Sequence, residues 1–186
     1  EIHHRVEMLL SSDSAVGVTK STGLGMIGFA DAFDSLKPDI VLLLGDRFEL
    51  LAAASAALFA VIPIAHIHGG EVTTGAFDDA IRHSITKMAH LHFTSTETYR
   101  NRVIQLGENP ANVFNVGAPG IDHIHRLKLL EREELEKKLG LSLGSSSLLI
   151  TFHPATLEPG TAKRDFEVLL RALDQLENVS VVFTKA

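Results

Sequence analysis

The sequence has no cysteine among its 186 residues, which excludes a disulfide framework, a thiolate zinc site and a cysteine nucleophile. Glycine and proline are too few, at 14 and 6 residues, for a collagen-like or low-complexity chain. Hydrophobic residues make up 45% and charged residues 22% of the sequence, a balance that excludes intrinsic disorder. The chain is therefore expected to fold around a core, as one or two domains.

Positive charge is in the minority, with 17 lysines and arginines against 23 aspartates and glutamates. A nucleic-acid surface needs a basic footprint, so that class of partner is excluded, whereas a phosphorylated small molecule needs only a few arginines or a helix N-terminus. The longest apolar stretch, 50–64, is shorter than the ~20 residues that span a bilayer, and no export signal is recognisable. These features predict a cytoplasmic protein with no membrane partner.

Short apolar runs alternate with longer segments of helical periodicity. The run 39–44 (DIVLLL) is typical of a strand buried on both faces, and the Ala- and Leu-rich segment 47–60 predicts a buried helix. This alternation predicts an α/β fold with an open, mostly parallel sheet. The predicted strands are 39–44, 63–67, 91–94, 113–116, 148–152 and 179–183, and the predicted helices are 47–60, 96–106, 121–130, 131–139 and 163–176, with one more capped by Asp78 or Asp79.

A small polar segment, 144–147 (GSSS), predicts a hinge between a first domain in 1–145 and a second in 146–186. The predicted strand 179–183 lies close to the end of the sequence, although a parallel strand needs neighbours and covering helices. We therefore expect the chain to be an internal piece of a longer protein.

Polar residues collect directly after the predicted strands. Ligands of an open parallel sheet bind beyond the carboxyl ends of the strands, where loops meet the free N–H groups of helix N-termini. We expect the side chains at these positions to share one edge of the sheet. The candidates are Asp46 and Arg47 after the first strand, His66, His68 and Glu71 around the end of the second, Asp78 and Asp79 at the next helix start, and His153 after the strand beyond the hinge.

Each candidate also has a purely structural explanation. Asp46 is either a helix cap or a site carboxylate, and Arg47 either binds phosphate or pairs with Glu49. His66 and His68 lie near the end of a predicted strand and are expected to face opposite sides of the sheet, one buried and hydrogen-bonded and the other facing a cleft. Since no cysteine or suitable third ligand lies near them, no metal is expected.

The loop after the second strand and the following helix pose the same choice. Glu71 follows two glycines, which allow a close approach of the backbone to a ligand, and is otherwise an exposed loop acid. Catalysis needs only one of Asp78 and Asp79, while the other suits the positive end of the helix. Arg82 and His83 either reach the same cleft or are solvated.

Beyond the hinge, Pro154 keeps His153 extended, with Thr156 close in sequence. His153 is either catalytic or a hydrogen-bonded residue at a strand end. The glycines in 23–28 resemble a phosphate-binding fingerprint only in spacing, because no clear strand precedes them. A nicotinamide enzyme or a P-loop ATPase is therefore disfavoured.

A specific combination of motifs runs through the middle of the chain. It consists of GDRF (45–48), HIHGGE (66–71), DDAIRHSITK (78–87), GAPGID (117–122) and TFHPAT (151–156). In this order the motifs resemble the UDP-N-acetylglucosamine 2-epimerase family, and most of all the hydrolysing branch that makes N-acetylmannosamine for sialic-acid synthesis. Any one of them alone would be a weak signal.

The resemblance implies a GT-B-like fold, in which two Rossmann-like domains with mostly parallel sheets hold a UDP-sugar between them. Part of the N-terminal domain would lie in 1–145 and the start of the UDP-binding C-terminal domain in 146–186. It also implies conversion of UDP-N-acetylglucosamine and water into N-acetylmannosamine and UDP. The reaction would pass through a glycal with inversion at C2, without cofactor or metal, in a cytoplasmic homo-oligomer.

The resemblance also implies roles for the candidate residues. Asp46, Glu71, Asp78, Asp79 and His153 would be catalytic, with Glu71 and one aspartate of the pair moving the C2 proton. Other members carry a glutamate at the position of His68, which leaves open whether Glu71 replaces that carboxylate or His68 does different work. The substrate-binding residues would be Arg47, His68, Arg82, His83 and Thr156.

Three other functions are compatible with this sequence. A non-hydrolysing epimerase would release UDP-N-acetylmannosamine instead of free sugar and UDP. A glycosyltransferase of the same fold would need an acceptor and would not exchange the C2 proton with solvent, and a sugar-nucleotide-binding domain would show no turnover. The sugar is also open, since a 2,4-diacetamido-6-deoxy sugar fits the same chemistry.

Overall fold

The computed structural model describes residues 2–154 and 160–184, which form two compact units, one ending at Asp122 and the other beginning at His123. Each predicted strand and helix from residue 39 onward is present, with ends shifted by a few residues. The hinge at 144–147 stays a prediction.

The helices are α1 (Ala15–Leu36), α2 (Phe48–Phe59), α3 (Asp78–Met88), α4 (Glu97–Gln105), α5 (Pro119–Arg126), α6 (Arg132–Leu139) and α7 (Ala162–Leu173), and the strands are β1 (Val41–Leu44), β2 (Ile64–Ile67), β3 (Leu91–Thr94), β4 (Val113–Asn115), β5 (Ser146–Ile150) and β6 (Val179–Phe183).

The first unit contains a parallel sheet with the strand order β1-β2-β3-β4. Leu44 pairs with Ile67, which in turn pairs with Phe93, so the carboxyl ends of three adjacent strands lie level. The pairing continues one residue further, because the Gly45 N–H donates to the Ile67 carbonyl at 3.0 Å and the His68 N–H to the Phe93 carbonyl at 2.9 Å. The loops that follow β1, β2 and β3 therefore start from one edge of the sheet.

The core of this unit lies between the sheet and the helices α2 and α3. Ile64 and Ile85 are fully buried, and five buried alanines bring α2 close to its neighbours. Ile81, Met88 and Ala89 join Ile85 in the same cluster. This confirms the apolar face that the helical spacing predicts for α3.

Strand β1 is buried on one face, so the prediction that it is buried on both is wrong. Leu43 is 5% exposed and packs with the alanines of α2, whereas Leu42 and Leu44 are 62% and 56% exposed. Successive side chains of a strand point to opposite faces, and α2 covers the face that carries Leu43. A continuous apolar run in the sequence does not distinguish one covered face from two.

No element is predicted from the sequence where the structure has the 22-residue helix α1. A Cβ at Gly25 would lie 2.6 Å from Met8 Cε and 3.0 Å from Ala52 Cβ, and a Cβ at Gly28 would lie 2.6 Å from Val6 Cγ1. The two glycines thus let α2 and the segment ahead of α1 pack closely against α1. This close packing offsets the low helix propensity of glycine. Because they lie inside a helix, they form no phosphate-binding loop.

The second unit pairs β5 and β6 in parallel. Phe166 of α7 packs its ring 5.3 Å from that of Phe152 and 5.8 Å from that of Phe183. Helix α6 has no buried residue, as its charged sequence predicts, and ends at Gly140, whose φ of +66° glycine adopts readily. Among the residues that the structure describes, no helix has both the length and the hydropathy needed to cross a bilayer.

Candidate active site

Three acids from separate turns share one electrostatic environment at the carboxyl edge of the first sheet. Asp46 follows β1, Glu71 lies in the loop after β2, and Asp78 opens α3. Burial raises the pKa of Asp46 above its ordinary value; the charge of Arg82 opposes that rise, and the charges of Asp78 and Glu71 add to it. Asp46 does not cap α2, whose N-cap is Arg47, so the structural explanation for this residue does not hold.

Arg82 connects this edge of the sheet to α3. Its side chain is 6% exposed, so the alternative that it is solvated is wrong. Its Nη2 donates to Asp46 Oδ2 and, at 2.9 Å, to Thr73 Oγ1, while Nη1 lies 3.6 Å from Asp79 Oδ1. A buried guanidinium with these partners fixes where Asp46 and the loop after β2 stand.

Arg47 is largely exposed to solvent and pairs outside the Arg82 network. Its side chain is 69% exposed and donates to Glu49 twice, at 2.9 Å from Nη2 and 3.1 Å from Nε. Of the two alternatives that the sequence leaves for Arg47, the structure contains the pairing with Glu49. Its part in substrate binding stays a prediction.

Of the two histidines, His66 is buried and His68 is partly exposed, as expected. Strand alternation is not the reason, because residues two apart on a strand share a face; His68 lies just beyond β2 with a φ of +67°, which takes it out of the strand geometry. The Nε2 of His66 lies 2.8 Å from the Gly45 carbonyl, which accepts the ring N–H, and its Nδ1 lies 3.3 Å from Thr86 Oγ1. Burial lowers the pKa of His66 to about 4, so its ring is neutral at pH 7. It joins the ends of β1 and β2 to α3 behind the site.

This buried ring predicts a stability that depends on pH. The unfolded histidine, with a pKa near 6.5, binds a proton as the pH falls, while folded His66 stays neutral down to about pH 4. Stability is therefore complete above pH 6.5 and falls between pH 6.5 and pH 4, by about 2 kcal/mol between pH 7 and pH 5 from this residue. Urea titrations at both pH values should show a smaller loss for His66→Gln, which keeps a donor for the Gly45 carbonyl. An equal loss in both proteins would contradict the assignment.

The loop after β2 holds Glu71 through two side chains. His68 Nδ1 lies 2.5 Å from Glu71 Oε1, and Ser95, directly after β3, donates its hydroxyl to the same oxygen at 2.7 Å. Burial opposes ionisation of Glu71, but the hydrogen bonds from Ser95 and His68 outweigh it and hold the pKa of Glu71 below its ordinary value. Glu71 is therefore a fixed, ionised carboxylate and not a free loop acid.

The backbone of this loop is unusual as well. His68 has a φ of +67°, a left-handed conformation that is uncommon for residues other than glycine. Gly70 has a φ of +80°, its carbonyl accepts from Arg102 Nη1, and helix α4 leaves no room there for a Cβ. Unfavourable backbone conformations persist where the surrounding structure holds them in place. Here Arg102 of α4 holds Gly70 and Ser95 holds Glu71.

Ser95 and Arg102 are site residues that the sequence reasoning missed. Ser95 lies directly after a predicted strand, so the rule that selected Asp46 and His68 also points to it. Arg102 sits within α4 and carries no comparable signal, because its contact with Gly70 spans 32 residues of sequence.

The two aspartates at the start of α3 differ in their surroundings. The sequence predicts that Asp78 or Asp79 caps the helix. This prediction is wrong, because the N-cap is Phe77. Asp79 accepts the Thr73 N–H at 3.1 Å and lies 3.6 Å from His83 Nε2, whereas Asp78 has no hydrogen bond or ion pair within the described residues. Asp78 is thus the uncommitted carboxylate of the pair.

Two of the predicted site residues belong to the second unit by sequence. His153 is exposed and follows β5 after Thr151 and Phe152, and Thr156 lies outside the described residues. Their roles stay predictions. Within residues 2–154 and 160–184, no group of three or more His, Asp or Glu residues is arranged to hold a metal ion.

The sequence matches the family described as UDP-N-acetylglucosamine 2-epimerase over residues 1–186. The chain belongs to this family. It is 45% identical over its whole length to a protein named GDP/UDP-N,N'-diacetylbacillosamine 2-epimerase (hydrolyzing) from Campylobacter jejuni. Over 173 residues, 93% of the chain, it is 42% identical to the polysialic acid biosynthesis protein P7 of Escherichia coli. It covers 48% and 44% of those two proteins, so the chain spans about half the length of the relatives it matches.

Solved structures of epimerases of this family share the fold. The UDP-GlcNAc 2-epimerase of Methanocaldococcus jannaschii, determined in complex with UDP-GlcNAc and UDP, superposes with a TM-score of 0.78 at 23% identity. The superposition covers 90% of this chain and 47% of that one. This confirms the predicted fold class, α/β and GT-B-like with parallel sheets, of which the chain holds a part.

Proposed function

We propose that the complete protein containing this chain is a hydrolysing 2-epimerase of a UDP-linked 2-acetamido sugar. It would convert the UDP-sugar and water into the C2-epimeric free sugar and UDP. The observation that carries the proposal is the convergence of Asp46, Glu71 and Asp78 at one strand-end edge, with Asp46 tied to α3 through Arg82. Membership of the epimerase family and the hydrolysing relative at 45% identity support it.

The chemistry needs two proton-transfer groups. The C2 proton becomes removable as the bond from C1 to the UDP oxygen breaks, and its loss leaves a glycal. Water then adds to C1 while a proton returns to C2 on the opposite face. One group removes a proton and another returns one, and a positioned acid or base contributes roughly 10²–10⁴-fold to the rate of its step.

The site offers two groups suited to this work. The loop after β2 supplies one, the hydrogen-bonded pair of His68 and Glu71, in which Ser95 and His68 hold the carboxylate ionised. Asp78 supplies the other, since among the described residues it makes no hydrogen bond or ion pair and acts on Asp46 and Arg47 only through its charge. Burial raises the pKa of Asp46, whereas hydrogen bonds hold the pKa of Glu71 below its ordinary value, so these two carboxyls are suited to different tasks. Asp46, held by Arg82, would orient the sugar.

The substrate is proposed to be UDP-N,N'-diacetylbacillosamine. The support for the sugar is the 45% identical relative that matches the whole chain and is named for GDP/UDP-N,N'-diacetylbacillosamine. The support for UDP over GDP is the description of the family to which the chain belongs. UDP-N-acetylglucosamine is the second candidate, supported by the description of the family to which the chain belongs.

The test is incubation of the complete protein with each UDP-sugar in heavy water, followed by mass spectrometry. We expect UDP and a free sugar that carries one deuterium at C2, with the larger kcat/KM for the diacetamido substrate. A nucleotide sugar as product would identify a non-hydrolysing epimerase. A product without deuterium at C2 would contradict proton transfer there, and a larger kcat/KM for UDP-N-acetylglucosamine would overturn the substrate assignment.

A further inference from the structure

Ser95, Glu71 and His68 form a hydrogen-bonded chain that ends on a ring nitrogen. Both contacts to Glu71 reach one oxygen, Oε1, at 2.7 Å from Ser95 Oγ and 2.5 Å from His68 Nδ1. A carboxylate with both neighbours aimed at one oxygen is held in place from two directions. Such an arrangement suits orientation of a partner better than attack on a substrate.

The partner of Nδ1 decides which tautomer His68 adopts. An ionised carboxylate accepts hydrogen bonds and donates none, so the proton of the neutral ring lies on Nδ1. The lone pair then lies on Nε2, which makes no hydrogen bond within the part of the chain that the structure describes. The His68 side chain is 22% exposed, so a ligand can reach the ring.

The backbone restricts the ring further. The left-handed conformation of His68 turns it directly after β2, and the contact of Arg102 with the Gly70 carbonyl fixes the next turn of the loop. The same loop therefore sets the position of His68 and that of Glu71. A left-handed conformation at a residue other than glycine, in a loop whose next turn is held by α4, is an observation that points to function.

We propose that His68 is the proton-transferring residue of this loop, with Nε2 as the reacting atom and Glu71 and Ser95 as its positioning residues. The proposal rests on the proposed function and names the atom that acts in it. Nε2 takes the C2 proton, the C2–H electron pair forms the C1–C2 double bond, and the C1–O pair leaves with UDP. The positive charge gained by the ring is stabilised by the Glu71 carboxylate, as in other histidine–carboxylate pairs.

Chemical rescue in the complete protein tests the proposal. His68→Gly suits a positive φ and leaves space for a small base. We expect kcat to fall by about 10²–10⁴-fold in this variant. Added imidazole should raise the kcat of the variant at least tenfold and should have no effect on the unmodified protein. Glu71→Gln, which retains the ring, should lose activity that imidazole does not restore. Absence of rescue in His68→Gly would overturn the assignment of Nε2.

His68→Asn is the second variant, chosen so that a folding defect cannot decide the outcome. Asparagine tolerates the left-handed conformation and offers an amide donor near the position of Nδ1, but it has no base in place of Nε2. We expect a similar loss of kcat with unchanged affinity for UDP. Turnover within tenfold of the unmodified protein would reject the role of His68, while the deuterium at C2 in the unmodified protein would still support the epimerase.

Ser95 is tested by a matched pair of variants. Ser95→Ala removes the hydroxyl and is expected to lower kcat about tenfold at unchanged KM. Ser95→Thr keeps the hydroxyl and should restore most of the rate. Equal rates for the two variants would show that the hydrogen bond from Ser95 to Glu71 has no part in positioning the ring.

Discussion

Replacing Arg82 by methionine is expected to lower the free energy of unfolding by about 3 kcal/mol. The guanidinium is buried, and its removal leaves the carboxylate of Asp46 without its partner in a place where burial already raises the pKa of that carboxyl. It also removes the donor to Thr73 Oγ1. Urea titration followed by circular dichroism measures the change. The estimate lies at the lower end for a broken buried pair, because a fifth of the Asp46 side chain remains exposed.

A second substitution separates the lost pair from lost packing. In the double variant Arg82→Met/Asp46→Asn, no unpaired charge remains, so part of the stability is expected to return. Arg82→Lys keeps the charge but not the planar guanidinium that donates to both Asp46 and Thr73. Its free energy of unfolding should lie between those of Arg82→Met and the unmodified protein. If Arg82→Met unfolded at the same urea concentration as the unmodified protein, the pair would contribute nothing to stability.

Arg82 also illustrates where sequence reasoning ends. Its residue type and its place in the DDAIRH motif mark it as a candidate, but the contact with Asp46 joins positions 36 residues apart. No periodicity or spacing encodes such a pairing. It follows from the parallel arrangement that brings the end of β1 next to the first turns of α3.

The order of strands and helices was accessible because it depends on local patterns. Short apolar runs and the helical spacing of Ile81, Ile85 and Met88 reflect burial along one chain segment. Helix α1 was not accessible, since Gly25 and Gly28 serve contacts with Ala52 and Val6 that lie outside the helix. A glycine that permits close packing looks, in the sequence, like a glycine that ends a helix.

The candidate site shows the same division. The rule that ligands bind beyond the carboxyl ends of strands selected Asp46, His68 and Glu71 without any knowledge of their contacts. What the sequence left open was the state of each group: which histidine is buried, which aspartate is uncommitted, and which side chains hold Glu71. Those answers depend on distances between loops, and they are set by the register of β1, β2 and β3.

Replacing Asp78 by asparagine is expected to lower kcat by about 10²–10⁴-fold with little effect on stability. Among the described residues this carboxylate has no hydrogen bond to lose, so the amide should not disturb the fold. Its charge raises the pKa of Asp46, which places it in the same electrostatic site. Steady-state kinetics of the complete protein, with the exchange of deuterium into C2 as a second readout, measure the loss.

Asp79→Asn is the matched control, one residue along the same helix. Asp79 already accepts the Thr73 N–H and lies 3.6 Å from both Arg82 Nη1 and His83 Nε2, so its substitution should reduce stability by roughly 0.5–1.5 kcal/mol. Its effect on kcat should be much smaller than that of Asp78→Asn, because the proton would be returned to C2 by the carboxylate that has no other partner. A larger loss of kcat in Asp79→Asn would reverse the assignment, because the proton-transferring carboxylate would then be the one bound to Thr73.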